Sequence, residues 1–182
     1  MGLLDGKKIV ITGVLTDASL AYGVAQLARA EGADIVLTGA GRALKLTQRT
    51  ARKLGDDIDV FELDVTVPEH GDAVRDAVAA KWGHVDGVLH AIGFAPEAAL
   101  GGNFLNTEWD DVATAVHVSA FSLKSLAMAC RPLFGPQGAS VVGLDFDATV
   151  AWPKYDWMGV AKAAFESTAR YLARDLGPEG VR

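Results

Sequence analysis

Two residues late in the chain have side chains and a spacing suited to chemistry. Tyr155 and Lys162 stand seven apart in "YDWMGVAK". On a helix that interval is about two turns, roughly 10.5 Å of rise, so both side chains project from one face. A phenol aimed at an oxygen that gains negative charge stabilises it as an oxyanion donor does. A nearby ammonium orients a bound group through its donors, and its charge is expected to lower the phenol's pKa. Each residue alone also has a plainer explanation, Tyr155 as a cap over a core and Lys162 as a solvated helix lysine. Position 159, four after the tyrosine, is Gly, so no pair of shorter spacing exists here.

A second stretch could bind phosphate. "ITGVLTDASLAYGVAQLARAEG" (Ile11–Gly32) sits where a dinucleotide-binding fold places its glycine-rich turn, yet it holds only Gly13 and Gly23 before its closing Gly32. A pyrophosphate site needs a tight turn, close backbone approach and a helix N-terminus with unpaired N–H groups. Gly13 can make the turn. Ser19 is small and its hydroxyl can donate to a phosphate oxygen. Ala21 and Gly23 let helix and strand approach, and Asp17 is a candidate cap. The wider loop still leaves the helix dipole aimed at the same place. A strand-turn-helix with no ligand would look similar, so this stretch is weak evidence taken alone.

These residues need elements to hold them, and the pattern alternates strand and helix. Strands are expected at Lys8–Thr12, Asp34–Thr38, Asp59–Val65, Val85–Gly93 and Ala139–Phe146. Leu20, Val24, Leu27 and Ala28 recur at helical spacing before the stop at Gly32. Further helices are expected at Ala43–Gly55, Glu69–Gly83, Asp110–Phe134 and Tyr155–Gly177. Repeated β-α units with apolar strands imply an α/β fold, a parallel sheet covered on both faces. Right-handed crossovers give a doubly wound, Rossmann-type sheet of order 3-2-1-4-5. Gly13, the Gly39 region, Asp64, Gly93 and Asp145 then fall at carboxyl ends of strands, where such sheets bind ligands.

The motif "GVLTDASLAYG" resembles the modified glycine motif of the enoyl-[acyl-carrier-protein] reductases, a divergent branch of the short-chain dehydrogenase/reductases. "LLDGKKIVITG", "LDVT", "HAIGFAP", "HVSAFS" and "VVGLDFDAT" follow in that family's order, and "GLDFD" with "YDWMGVAK" is most similar to its actinobacterial form. The Tyr-x6-Lys spacing also marks this branch. The resemblance implies NADH-dependent reduction of the 2,3 double bond of a trans-2-enoyl thioester, carried by acyl carrier protein or CoA, in fatty-acid elongation. It implies that Tyr155 faces the thioester oxygen and that Lys162 holds the nicotinamide ribose. Phe146 stands where commoner dehydrogenases place a catalytic serine, and the resemblance puts it beside nicotinamide and substrate; a plain core aromatic is the other reading. By the same resemblance Gly13, Ser19 and Leu20 take the pyrophosphate. Asp64 and Val65 take the adenine end, and the backbone of Ala91, Ile92 and Gly93 lines the nicotinamide ribose. Ala91 replaces a serine of the actinobacterial form, and Ala40 replaces an aromatic at the adenine wall. NADH rather than NADPH is the expected cofactor, although no acid follows the second strand and Arg42 could meet a 2′-phosphate.

Composition narrows the classes further. Of the 182 residues, 50% are apolar and 22% charged, as in an ordinary soluble domain. A formal net charge of −6 without a Lys/Arg run excludes a nucleic-acid footprint. The one cysteine, Cys130, precludes an internal disulfide and fits a cytoplasmic location as a buried, inert thiol. His70, His84, His90 and His117 lack paired metal spacing, so no metal is expected. No apolar run approaches the ~18 residues of a membrane span. The chain reads as a single dinucleotide-binding domain over 1–182, cut short at its C-terminus. By the resemblance a sixth strand, a substrate loop and a seventh strand should follow "EGVR", leaving the fifth strand an exposed edge. The resemblance also implies homo-oligomers, as tetramers, through the two long late helices. Two other readings stay open: a non-catalytic dinucleotide-binding module, and a carbonyl-reducing dehydrogenase of the same fold.

Overall fold

The computed structural model describes residues 2–182. Its strands are β1 (Lys8–Ile11), β2 (Asp34–Gly39), β3 (Val60–Glu62), β4 (Gly87–His90) and β5 (Ser140–Gly143). They form one parallel sheet of order β3-β2-β1-β4-β5, as the alternating pattern implies. The helices are α1 (Leu20–Ala30), α2 (Gly41–Ala51), α3 (Pro68–Trp82), α4 (Trp109–Val116), α5 (Ser122–Cys130) and α6 (Asp156–Leu176).

Successive strand residues face opposite sides of the sheet, and each side has its own helices. On one side Val10, Val36 and Val88 pack with Val74 and Val78 of α3 and Leu126 and Cys130 of α5. On the other, Ile11, Ile35, Leu37 and Leu89 pack with Ala21, Ala25 and Ala28 of α1. Burying each valine, leucine or isoleucine stabilises the fold by roughly 1.5–3 kcal/mol.

The face of α1 differs from the expectation. Leu20, Val24 and Leu27 are exposed, and the alanines at 21, 25 and 28 are buried. The helix lies so near the strands that only methyl groups fit between them. The expected helix at Asp110–Phe134 is also not uniform. Between α4 and α5 the chain makes a π-helical turn at His117–Phe121, and after α5 it tightens into a 3-10 turn at Arg131–Leu133. The π turn brings Ser119 and Ser122 inward, both fully buried. The whole run Trp109–Leu133 is long and apolar enough to cross a bilayer by length and composition, which corrects the expectation of no such run. Its apolarity has a use in the fold, because Leu123, Leu126 and Ala127 are packed into the core.

β5 is one of the sheet's two outer strands, but its edge is not bare. Arg182 N–H donates to Ala139 O at 2.8 Å, and Val141 N–H donates to Arg182 O at 2.7 Å. These bonds set Arg182 beside Ser140.

Candidate active site

The five strands share a direction, so their carboxyl ends lie along one edge. The exits of β1 and β4 are stitched together there. Thr12 Oγ1 donates to Leu89 O and accepts from Ala91 N–H, both at 2.9 Å. Gly13 follows with φ 80°, and a Cβ on it would lie 2.0 Å from Ala91 O. Only glycine fits, both by conformation and by space.

The loop after Gly13 answers how two glycines are dispensed with. Ser19 Oγ accepts N–H bonds from Leu15 at 3.1 Å and Thr16 at 3.0 Å, closing the loop on itself. A hydroxyl that accepts twice still has its hydrogen to give, so Ser19 can donate to an anion at the start of α1. The far side of the loop is held by α2 and the residues after it. Thr47 Oγ1 donates to Val14 O at 2.7 Å, Thr50 Oγ1 donates to Leu15 O at 2.8 Å, and Lys53 pairs with Asp17. Asp17 therefore does not cap α1; its carboxylate is turned outward to Lys53, and Ser19 holds the N-cap position. The first turn of α1 carries no acid, so its unpaired N–H groups keep their positive potential. Leu20, the first residue of that turn, is exposed.

At the opposite end of the edge, Ala40 precedes α2 and is half-buried. Asp64 follows β3. Its Oδ1 accepts from Thr66 N–H at 2.9 Å and Thr66 Oγ1 at 2.6 Å, and these bonds hold its pKa below the usual carboxylate value. Both bonds fall on one oxygen, so the other can accept an exocyclic amine. Asp64 and Val65 border a hollow of about 410 Å³ that reaches α5.

Beyond β4 lie Ala91, Ile92 and Gly93, and the backbone after them is clamped from the π turn. Ser119 Oγ accepts from Phe94 N–H and donates to Phe94 O, each at 2.8 Å. Ser122 Oγ donates to Val118 O at 2.7 Å and lies 2.7 Å from His90 Nε2. With the serine hydrogen committed, His90 Nε2 carries the ring proton. His90 Nδ1 has no hydrogen-bond partner in the protein, and burial, with the charge of Lys162, pushes the imidazole down to about 4. Sequence reasoning assigned none of these three residues a role. The available signal was a pair of serines three apart inside an apolar helix.

Tyr155 and Lys162 converge on the segment that follows β5. Lys162 is buried; its Nζ donates to Leu144 O at 2.8 Å and lies 3.8 Å from Asp145 Oδ1. Tyr155 stands at the N-cap of α6, its ring 4.9 Å from that of Phe146, which is 44% exposed and so not a core aromatic. The expected lowering of the phenol pKa is reversed. Burial and then the Asp145 carboxylate raise the Tyr155 pKa. Burial lowers the Lys162 pKa, opposed by Asp145. A neutral phenol and a buried ammonium reaching the same Leu144–Phe146 segment are both hydrogen-bond donors, suited to receiving charge on an oxygen.

The residues fit a dinucleotide on grounds internal to the structure. A space that only glycine leaves open, a serine hydrogen without a partner and an acid-free helix start lie together at the exit of β1. Among the described residues, no three His, Cys, Asp or Glu side chains are grouped to hold a metal ion.

A family profile described as Enoyl-(Acyl carrier protein) reductase matches residues 13–182. The enoyl-[acyl-carrier-protein] reductase [NADH] of Mycolicibacterium smegmatis is 45% identical over 185 residues, which cover 100% of this chain and 68% of that protein. Its counterpart in Mycobacterium avium is 43% identical, with the same coverage. The FabI protein of Escherichia coli, also named an enoyl-[acyl-carrier-protein] reductase [NADH], is 38% identical across all of this chain and 70% of its own length.

Proposed function

The chain belongs to the enoyl-(acyl carrier protein) reductase family, and on that premise we propose that it reduces the 2,3 double bond of trans-2-enoyl thioesters with NADH. The observation that carries this reading is the convergence of Tyr155 and Lys162 on Leu144–Phe146 at the end of β5.

NADH, when bound, supplies the hydride for the β-carbon. Gly13, Ser19 and Leu20 would hold its pyrophosphate, and Ala40, Asp64 and Val65 its adenine end. Ala91, Ile92 and Gly93, with Lys162, would hold the nicotinamide ribose. As charge builds on the thioester oxygen, the Tyr155 phenol donates a hydrogen bond to it and stabilises the enolate. The phenol holds that hydrogen at neutral pH, and its raised pKa extends this to more alkaline pH. Lys162, fixed by Leu144 O, presents its remaining N–H groups to the ribose. Phe146 walls the site beside the tyrosine and offers no hydroxyl for carbonyl reduction. The substrate carrier is acyl carrier protein or CoA, and the reaction belongs to cytoplasmic fatty-acid elongation. Homo-oligomers, as tetramers, form part of the same reading; exposed Trp109, Phe121 and Tyr171 on the late helices support it.

The test is NADH oxidation with trans-2-octenoyl-CoA, followed by absorbance. Tyr155→Phe is expected to lower kcat on the order of 100-fold, as loss of an oxyanion donor does, with NADH binding retained. NADH binding with no turnover on any enoyl thioester would favour a non-catalytic module, and turnover confined to 3-oxoacyl thioesters would favour carbonyl reduction.

A further inference from the structure

Lys154 and Asp156 have φ of 64° and 45°, the only non-glycine residues in the left-handed region among the described residues. They flank Tyr155. Such backbone costs free energy and persists only where the surroundings enforce it. Here the surroundings are the loop between β4 and α4. Gly101 N–H donates to Lys154 O at 3.0 Å. Gly102 and Asn103 N–H both donate to Asp156 Oδ2, at 2.6 and 3.0 Å. Gly101 and Gly102 have φ of 82° and 100°, which turns successive N–H groups toward one point and makes an anion cradle. The next residue is tied to the same loop: Trp157 Nε1 donates to Phe104 O at 3.0 Å, and the two rings stack at 4.8 Å. Residues on both sides of Tyr155 are thus bound to one loop, while its own ring lies against Phe146.

We propose that Asp156 is a positioning residue for the reaction, seated in the Gly101–Asn103 cradle so that the turn carrying Tyr155 keeps the phenol at the reacting oxygen. The inference rests on the role given to Tyr155 above. That tyrosine precedes the regular turns of α6, and a small backbone rotation there is amplified at the far end of the ring. Rates fall steeply when a reacting group is displaced by as little as ~1 Å. The cradle lies further along the loop that leaves Ala91–Gly93, whose backbone Ser119 clamps separately at Phe94, so the cradle bears on the tyrosine and not on the cofactor side.

The experiment compares Asp156→Ala, Asp156→Asn, Tyr155→Phe and the double variant Tyr155→Phe/Asp156→Ala, with NADH and trans-2-octenoyl-CoA. Asp156→Ala is expected to lower kcat on the order of 10- to 100-fold with NADH affinity unchanged. Asp156→Asn keeps an acceptor oxygen and tolerates the left-handed region, so it retains most of the rate. In the Tyr155→Phe background, Asp156→Ala has no further effect on kcat, because its action passes through the phenol. Full activity in Asp156→Ala, or an equal loss in both backgrounds, overturns the proposal while leaving the tyrosine's role intact. Full activity in Tyr155→Phe overturns the role of the tyrosine itself, and this proposal with it. If Asp156→Ala does not fold, Gly102→Ala replaces it. Its side chain meets nothing within 4 Å but strains the cradle at φ 100°, and the same pattern of losses is expected.

Discussion

Burial raises the Tyr155 pKa and lowers that of Lys162, and Asp145, 3.8 Å from the ammonium, pushes both upward. Its removal acts on both groups in one direction. Asp145→Asn is expected to let the phenol and the ammonium lose their protons at lower pH, so the alkaline limb of the kcat profile moves down. The profile between about pH 7 and 11 measures this, and a limb that stays in place or moves up would exclude the assignment. Tyr155 and Lys162 were legible as a pair from their types and spacing, but the helical register expected to align them does not hold at its start: Tyr155 precedes α6, and the turn through Lys154 and Asp156, not helix geometry, sets its direction. Asp145 was legible only as a strand-end residue. Its partnership with Lys162 depends on where β5 stops against α6, a contact no periodicity encodes. The direction of the Tyr155 shift was misread for the same reason, since the sequence shows neither the burial of the phenol nor the Asp145 carboxylate near it.

At the scale of elements, α2 serves as the brace of the phosphate loop. Thr47 is fully buried and holds Val14 O, one turn before Thr50 holds Leu15 O. Thr47→Val keeps the shape but strands a buried carbonyl, at a cost of about 1–3 kcal/mol. The expected result is a lower unfolding midpoint and weaker NADH binding with kcat at saturation preserved, read by denaturant titration and fluorescence. Unchanged NADH affinity would mean the loop holds its form without the brace. The strands were legible from their β-branched runs, although the structure ends β4 at His90 and β5 at Gly143, short of the apolar pattern. At Gly143 a Cβ would sit 2.3 Å from Phe165 Cζ, so α6 crosses directly over that strand end. The apolar stripe of α1 was misassigned because leucine and valine outweigh alanine in any hydrophobic pattern, while the real criterion was thickness. The π turn was not legible, since it exists to direct Ser119 and Ser122 at partners far away in sequence.

For the molecule as a whole, strand order followed from alternation and handedness alone, and it gathered Gly13, Asp64, Gly93 and Asp145 along one edge. Acid stability is set by a different residue. His90 is wholly buried with its imidazole lowered from 6.5 to about 4. The unfolded chain takes up that proton first, so stability declines as pH falls through 6.5 and the loss levels off near 4. Between pH 7 and 5 the decline from this group is about 2 kcal/mol. His90→Gln is expected to lose that slope, as urea midpoints at the two pH values would show, and parallel slopes would assign the proton elsewhere. The alanine seam beneath α1 has one more consequence. The helix that presents its N-terminus at the sheet edge is also the helix pressed to the strands by Ala21, Ala25 and Ala28. Grip on the nucleotide is therefore inherited from interior fit: a lesion far from any ligand, no wider than a methylene, would tilt the whole rod and be mistaken at the bench for a damaged binding loop.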